Sequence, residues 1–324
     1  MKTIFILVPQ SAVPSGLTAP RYLFTTANSF LSQAGKPPEF EVKLVGEYEQ
    51  VCVQNDFFYV TTDYQLDHSG HPDLVIIPPL FGNLQNSIDL NKNLQSWIRT
   101  QYENGAEIAS LCIGAFLLAS TGLLDGKSCS THWAFYDQFN EWFPEVEIKD
   151  GAVITDEYGI YTSGGANSLW NLLLYILEKY TDRETAVKAS KYFAIDIDRD
   201  NQSYFMMFSG QKNHPDDEVR KTQNYLENHF QDKITVDDLA DMVGMSRRSF
   251  ERRFKHATGN TVIRYLQRIK VEAAKRSFES SRKNISEVMY DVGYNDTKAF
   301  RSVFKKITGL SPIEYRNKFY KMTS

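Results

Sequence analysis

The 324 residues are 42% hydrophobic and 23% charged, which predicts a globular chain of about two domains rather than a disordered or low-complexity one. No apolar run reaches the ~18 residues of a membrane span, and three cysteines without a CxxC spacing favour a reduced, cytoplasmic protein over a disulfide framework. The net charge of −4 divides into −11 for residues 1–215 and +7 for residues 216–324, which favours an acidic body carrying a basic module.

Short apolar runs alternate with helical segments through the first half of the chain. The runs predict strands that are buried on both faces, at 3–8, 41–46, 73–79 and 107–112. Helical patterns are found at 20–34, 90–104, 113–121 and 167–180, and a hairpin pattern at 152–165. This alternation predicts a doubly wound α/β domain over residues 1–195, with any ligand bound beyond the carboxyl ends of its strands.

The stretch ASLCIGAFLLA (109–119) places the lone cysteine Cys112 at the end of a predicted strand and just before a predicted helix. Strand, tight turn and helix form the pattern of a nucleophile elbow, which pushes its turn residue into a cleft. The dipole of the following helix is expected to lower the pKa of the thiol. Three interpretations follow: Cys112 is a catalytic nucleophile, it is a redox-sensing thiol without catalysis, or the elbow only shapes a ligand cleft.

The sequence predicts neither a metal site nor a cofactor. His68 and His71 have an HxxH spacing, but they lie on a predicted loop without a third ligand nearby. Further along, residues 196–216 are polar and are broken by glycine and proline, which predicts a linker. This linker contains one apolar patch, at 204–208, that is expected to dock onto a domain.

The helical remainder, residues 217–324, contains one motif twice, at about 236–255 and 285–306. Each copy predicts a helix-turn-helix with a glycine of positive φ in its turn, Gly244 or Gly293. The turn glycines are 49 residues apart and the phenylalanines that follow are 50 apart, so one residue is inserted in the second turn. Cap and acid pairs open the first helices: Thr235 with Asp238, and Asn284 with Glu287. The caps predicted for the second helices are Ser246 and Asn295.

The second helix of each motif has two phenylalanines on one side and basic residues on the other. A helix of this kind can enter the major groove of double-stranded DNA and offer bidentate donors to guanine edges. In the first motif the residues expected to contact DNA are Arg247, Arg248, Glu251, Arg252 and Lys255. In the second motif they are Thr297, Lys298, Arg301, Ser302 and Lys305.

Residues 217–318 resemble the DNA-binding domain of AraC/XylS-type transcriptional regulators. The resemblance is carried by the closing stretch GYNDTKAFRSVFKKITGLSPIEYR and by a joining helix over 261–281. It implies seven helices that form two helix-turn-helix units. Met289 stands where the family usually has alanine, which is expected to hold the second pair of helices slightly apart, and Lys270 stands where it usually has arginine.

Residues 1–195 resemble the PfpI-type branch of the class I glutamine amidotransferase-like superfamily, on the stretches 109–133 and 159–180. Together with the second half, they make the chain similar to GlxA-type regulators. The resemblance implies a flavodoxin-like fold followed by an all-α double helix-turn-helix domain. It also implies a homodimer that senses a small-molecule effector of unknown identity, with RNA polymerase as a further partner.

The catalytic partners that PfpI-type hydrolases have are displaced or absent in this chain. Those enzymes carry a histidine directly after the cysteine, where this sequence has Ile113, and the nearest histidine is His132. They also carry an acid after the first strand, whereas residues 8–24 contain no aspartate or glutamate. We therefore expect Cys112, Ile113 and His132 to line a ligand cleft without catalysis, and a cysteine-dependent hydrolase or amidase is the alternative.

Overall fold

The computed structural model describes residues 1–54, 57–68, 70–212 and 214–320. The chain forms two compact units, Met1–Gln202 and Ser203–Ser324, which we call the α/β unit and the helical unit. Among the residues that the structure describes, no helix is long and apolar enough to cross a membrane.

The strands of the α/β unit, within the described part of the chain, are β1 (Lys2–Leu7), β2 (Phe40–Gly46), β3 (Gln50–Val53), β4 (Phe58–Thr61), β5 (Tyr64–Gln65), β6 (Leu74–Ile77), β7 (Glu107–Ser110), β8 (Ser128–Cys129), β9 (Glu147–Ile148), β10 (Ile154–Glu157) and β11 (Ile160–Ser163). Seven of them form one sheet in the order β10-β11-β7-β6-β1-β2-β5. The helices are α1 (Pro14–Gln33), α2 (Leu84–Leu90), α3 (Lys92–Glu103), α4 (Ala115–Ala119), α5 (Tyr136–Trp142), α6 (Ser168–Tyr180) and α7 (Arg183–Phe193). All neighbouring strands of the sheet run parallel except β10, which is antiparallel to β11.

Both faces of the sheet are covered by helices, as a parallel sheet requires. Along β1, Ile4 and Ile6 belong to a core that includes residues of α1, α6 and α7, whereas Phe5 and Leu7 belong to a second core that includes residues of α2, α3 and α4. The predicted doubly wound, flavodoxin-like fold is therefore confirmed, and the carboxyl ends of β7 and β11 lie side by side at one edge.

Three of the predicted helices have different bounds in the structure. Helix α1 begins at Pro14, six residues before the predicted start, and Pro20 lies inside it. The helix predicted over 90–104 is interrupted at Asn91, because this buried side chain exchanges two hydrogen bonds with the backbone of Gln10 (2.9 and 3.0 Å). The helix predicted over 113–121 begins as a 3-10 turn at Cys112–Gly114 and continues only through α4.

The helical unit consists, in its described residues, of seven helices around two cores. They are α8 (Asp217–His229), α9 (Val236–Met242), α10 (Arg247–Thr258), α11 (Val262–Ser280), α12 (Ile285–Asp291), α13 (Thr297–Thr308) and α14 (Pro312–Phe319). Helix α11 is shared: Tyr265 lies in the first core and Phe278 in the second. Met289 is buried in the second core, beside Phe300 and Phe304.

Capping and turns follow the predicted pattern with one correction. Capping boxes at Thr235 and Asn284 open α9 and α12, and Ser246 caps α10. The prediction that Asn295 caps α13 is wrong, because Asp296 accepts the hydrogen bond from the backbone N–H of Ala299 (2.6 Å). The residue inserted after Gly293 shifts the cap by one position. The second helices of the two motifs, α10 and α13, therefore begin 50 residues apart.

The apolar patch of the predicted linker belongs to the helical unit and packs against both of its cores. Tyr204 contacts the second core and Phe208 contacts the first. The backbone between them is held by two buried charges of α11: Lys275 donates to the carbonyl of Met206, and Glu272 accepts from the N–H of Phe208 (3.2 Å). These contacts attach this segment firmly to the joining helix.

Candidate DNA interface and Cys112 site

Helix α10 presents a basic surface because two buried phenylalanines fix which side faces solvent. Phe250 and Phe254 are 1% and 0% exposed, four residues apart on the same side of the helix. The five residues predicted to contact DNA all lie exposed on the other sides: Arg247, Arg248, Glu251, Arg252 and Lys255. The arrangement offers cations on a rigid cylinder, which is what major-groove recognition requires.

Some basic side chains of α10 are held in ion pairs within the protein, and others are not. Arg247 is paired with Asp237 (3.0 Å) and Glu251 (3.5 Å), and Arg253 forms a bidentate pair with Asp216 (2.8 and 2.7 Å). Within the described residues, the side chains of Arg248, Arg252 and Lys255 make no ion pair or hydrogen bond. These three cations are therefore the ones available to an external partner.

Helix α13 forms the equivalent surface of the second unit. Phe300 and Phe304 are both fully buried, and a surface groove of about 600 Å³ runs along the opposite side of the helix. The groove is lined by Thr297, Lys298, Arg301, Ser302, Lys305 and Lys306. Five of these were predicted; Lys306 was missed, although its spacing of eight residues from Lys298 places it on the same face of the helix.

The backbone around Cys112 has the geometry of a nucleophile elbow. After β7 ends at Ser110, Cys112 adopts a left-handed conformation with φ of +55°. Its N–H donates to Oγ of Ser163 (3.2 Å), and its carbonyl accepts from Oγ1 of Thr131 (3.1 Å). Gly114 follows, where a Cβ would come within 2.6 Å of the carbonyl oxygen of Pro78. We call Cys112, Thr131, His132 and Ser163 the Cys112 site.

The Cys112 thiol is buried, and burial raises its pKa to about 12 although the backbone N–H of Ile113 points to the sulfur. The expectation that the following helix lowers this pKa is therefore wrong. Desolvation of the thiolate outweighs one N–H donor and the dipole of α4, which has only five residues. The structure thus holds Cys112 as a neutral thiol at physiological pH.

His132 directly follows Thr131, which contacts Cys112, but the His132 ring is hydrogen-bonded elsewhere. Its Nδ1 accepts a hydrogen bond from the N–H of Ala134 (3.2 Å), so the neutral ring carries its proton on Nε2. Burial lowers the pKa of the half-buried ring, which favours that neutral form. In the described part of the chain, no hydrogen bond joins His132 to Cys112, whereas its neighbour Thr131 does contact Cys112.

Gln202 belongs to this region, although the sequence placed it in the linker. The side chain is fully buried; its Oε1 accepts from the N–H of Gly165 (2.6 Å), and its Nε2 donates to the carbonyls of Ala152 (2.9 Å) and Thr131 (3.2 Å). Sequence patterns did not indicate Gln202 because its partners lie 37 to 71 residues away. The amide ties the chain after α7 to the loops that carry the Cys112 site.

Two hydroxyl groups near the carboxyl ends of β7 and β11 have unused hydrogen-bonding capacity. The Oγ atoms of Ser110 and Ser168 are buried and have no hydrogen-bond partner among the residues described. A buried hydroxyl without a partner is unfavourable, so each of these two groups is a candidate to hydrogen-bond a ligand or an ordered water. No cluster of three or more His, Cys, Asp or Glu side chains suited to a metal occurs in the described ranges.

Two family models match the two parts of the chain, and a curated relative matches across both. Residues 2–179 match the DJ-1/PfpI family, and residues 239–318 match a family described as a helix-turn-helix domain. The HTH-type transcriptional regulator GbdR of Pseudomonas aeruginosa is 25% identical over 265 residues, which is 81% of this chain and 71% of that protein. The xylose operon regulatory protein of Escherichia coli is 36% identical over 102 residues, which is 32% of this chain and 26% of that protein.

A solved structure resembles the first part. The crystal structure of DJ-1beta from Drosophila melanogaster matches with a TM-score of 0.50 and 19% identity, over 60% of this chain and 98% of that one. At this identity the likeness shows the fold.

Proposed function

This chain belongs to the DJ-1/PfpI family and carries an AraC-type helix-turn-helix domain, and we propose that it is a transcriptional regulator that reads DNA through α10 and α13 and senses a small molecule at the Cys112 site. One observation carries the proposal. Both copies of the helix-turn-helix expose a basic face on a helix anchored by two buried phenylalanines, and on α10 three of the cations have no partner within the described residues.

The DNA-binding part is tested by titrating the full chain onto duplexes from upstream of its own gene and the neighbouring genes, at several salt concentrations. Each phosphate contact by lysine or arginine releases counterions, so the logarithm of affinity should fall linearly with the logarithm of salt. Replacing both Arg248 and Arg252 by alanine should weaken specific binding. Arg220→Ala, which removes an exposed charge from α8, should leave it nearly unchanged. A wild-type chain without salt-dependent affinity would contradict the proposal.

The Cys112 site is proposed as a binding site without catalysis. A thiol with a pKa near 12 is almost fully protonated at pH 7, and a histidine whose Nδ1 is occupied by a backbone N–H and whose Nε2 carries a proton has no free lone pair to act as a base. The test is a screen of amide, isonitrile and glyoxal-type substrates with wild type, Cys112→Ser and His132→Ala. Turnover that is lost in both variants would make the protein an enzyme with a DNA-binding domain.

The effector is proposed to be a small polar molecule that hydrogen-bonds to Ser110 or Ser168. This follows from their unpaired buried hydroxyls at the strand ends where ligands of doubly wound folds bind. A thermal-shift screen of metabolites can find the molecule, since a ligand that binds the folded state raises its melting temperature. Ser110→Ala should reduce this shift, and Ser29→Ala, on an exposed turn of α1, should not.

A further inference from the structure

The two turn glycines of the helix-turn-helix units have the same backbone conformation but different surroundings. Gly244 has φ of +64° and Gly293 has φ of +74°, so an alanine at either position is strained. A Cβ at Gly244 would meet no atom within 4 Å. A Cβ at Gly293 would clash with the carbonyl oxygen of Gln231 and come within 3.0 Å of Nζ of Lys270. The second turn is therefore packed against other parts of the helical unit, and the first is open.

Lys270 is the central side chain of this contact. It extends from α11, is 9% exposed, and donates from Nζ to the carbonyl of Gly293 (3.1 Å). The same ammonium group lies 5.3 Å from the centre of the Tyr294 ring. A charged group is buried at a cost unless it is paired, and here a carbonyl and an aromatic face provide the compensation.

The contact joins the segment that leads into the first helix-turn-helix to the turn of the second. Gln231 lies between α8 and α9, just before the first motif, and the preceding Phe230 packs against both cores. Gly293 and Tyr294 form the turn between α12 and α13, in the second unit. The two backbone segments thus approach each other directly, with Lys270 of the shared helix inserted beside them. We call Gln231, Lys270, Gly293 and Tyr294 the unit junction.

We propose that the unit junction fixes the angle between α10 and α13 and thereby the spacing of the two DNA segments that one chain reads. The inference rests on the proposed DNA-binding function. Two recognition helices on one rigid body can enter successive major grooves only where the DNA segments are about one helical turn apart. A junction without room for one extra methyl group holds that geometry tightly, and Lys270 acts as a positioning residue without touching DNA.

The test uses the full chain and a randomised duplex library, from which the preferred site and its internal spacing are selected and sequenced. Affinity is then measured on the selected site and on versions with one base pair inserted or removed between the two segments. We expect wild type to lose about tenfold in affinity on either altered spacing, which is comparable to the effect of one mismatched base pair. Gly293→Ala and Lys270→Met should reduce this ratio to about twofold, or select a different spacing.

Gly244→Ala is the matched control, since it carries the same positive-φ strain without a neighbour to displace. It should keep the wild-type spacing preference. Circular dichroism establishes that each variant is folded, and if Gly293→Ala is not, Lys270→Met carries the test, because it keeps an unbranched side chain one atom shorter and removes the donor. An unchanged spacing ratio in a folded, DNA-binding Lys270→Met would overturn the inference alone. A wild-type chain without DNA affinity would overturn the proposed function and the inference with it.

Discussion

Cys112 combines a strained backbone with a buried thiol whose pKa is raised. A non-glycine residue at φ of +55° costs on the order of 1–3 kcal/mol, and such strain persists only where the surroundings fix it. Ser163 and Thr131 fix this conformation, because Oγ of Ser163 accepts from the N–H of Cys112 and Oγ1 of Thr131 donates to its carbonyl. The thiol itself is buried, and burial raises its pKa. The structure thus keeps the backbone geometry of a nucleophile elbow at the strand ends without a thiolate.

Alkylation of Cys112 should be slow at neutral pH and rise with pH toward 12. Iodoacetamide reacts with the thiolate, and a folded pKa near 12 leaves a thiolate fraction of roughly 10⁻⁵ at pH 7, against a few per cent for an unperturbed thiol. Mass spectrometry of peptides after timed labelling gives the rate at each pH. The same cysteine in guanidinium chloride is the control, and it should react with an ordinary pKa near 8.5. A folded-state rate that levels off below pH 8 would contradict the burial argument.

Arg248 and Arg253 offer a matched pair on α10 for separating DNA contact from stability. Arg248→Ala should weaken specific DNA binding by about 1–3 kcal/mol and relax the preference at one base-pair position. Arg253→Ala should leave the preference intact, because its guanidinium is engaged by Asp216, which also caps α8. Binding to a library with single-position substitutions measures both variants. If Arg253→Ala changes a base preference and Arg248→Ala does not, the assignment of contacts is wrong.

At the scale of elements, patterns within one helix were predictable and contacts between distant segments were not. Residues three or four apart determine the capping boxes at Thr235 and Asn284 and the exposed faces of α10 and α13, so these features can be predicted from the sequence. The break at Asn91 depends on Gln10, 81 residues away. The raised pKa of Cys112 depends on burial by the whole α/β unit, which outweighs the short helix visible in the sequence.

Helix α11 contains a buried ion pair whose removal should destabilise the helical unit. Side chains of Lys275 and Glu272 are 5% and 9% exposed, lie 2.9 Å apart and hold the backbone of Met206 and Phe208. Lys275→Met removes the buried cation beside the carboxylate and leaves it only the exposed Arg276 at 3.8 Å, so the free energy of unfolding should fall by up to about 3–5 kcal/mol. Adding Glu272→Gln should restore part of the loss, because the buried charge that has lost its nearer cation is removed.

The tryptophans make this prediction measurable in the full chain. The four tryptophans lie in the α/β unit, so their fluorescence follows that unit, whereas far-ultraviolet circular dichroism follows both. In urea, Lys275→Met should introduce an early dichroism transition that fluorescence does not detect. Lys221→Met, on an exposed site of α8, should leave both curves unchanged. Coincident early transitions by both probes would mean that the two units do not unfold separately.

At the scale of the whole molecule, the sequence already shows that opposite net charges are carried by the two parts of the chain. Because the acidic part opposes DNA binding, the α/β unit must contribute to that binding in another way. Residues 1–215 carry −11 and residues 216–324 carry +7. A polyanion such as DNA repels the first group and attracts the second, so an α/β unit that only accompanied the helical unit would weaken DNA binding. A homodimer, which the resemblance to GlxA-type regulators implies, would reverse that effect, because it would hold two helical units together on one operator.

The difference in DNA affinity between the full chain and residues 203–324 alone therefore tests whether the α/β unit strengthens or weakens DNA binding. If the α/β unit dimerises, the full chain should bind a duplex with two copies of the selected site more tightly than the fragment does, by up to 10²–10⁴-fold through effective concentration. On a duplex with one copy, the advantage should disappear, and at low salt the acidic unit should make the full chain the weaker binder. Sedimentation gives the oligomeric state of both proteins at the concentrations of the titration. A monomeric full chain that binds the two-copy duplex no better than the fragment would rule out dimerisation as the role of the α/β unit in DNA binding.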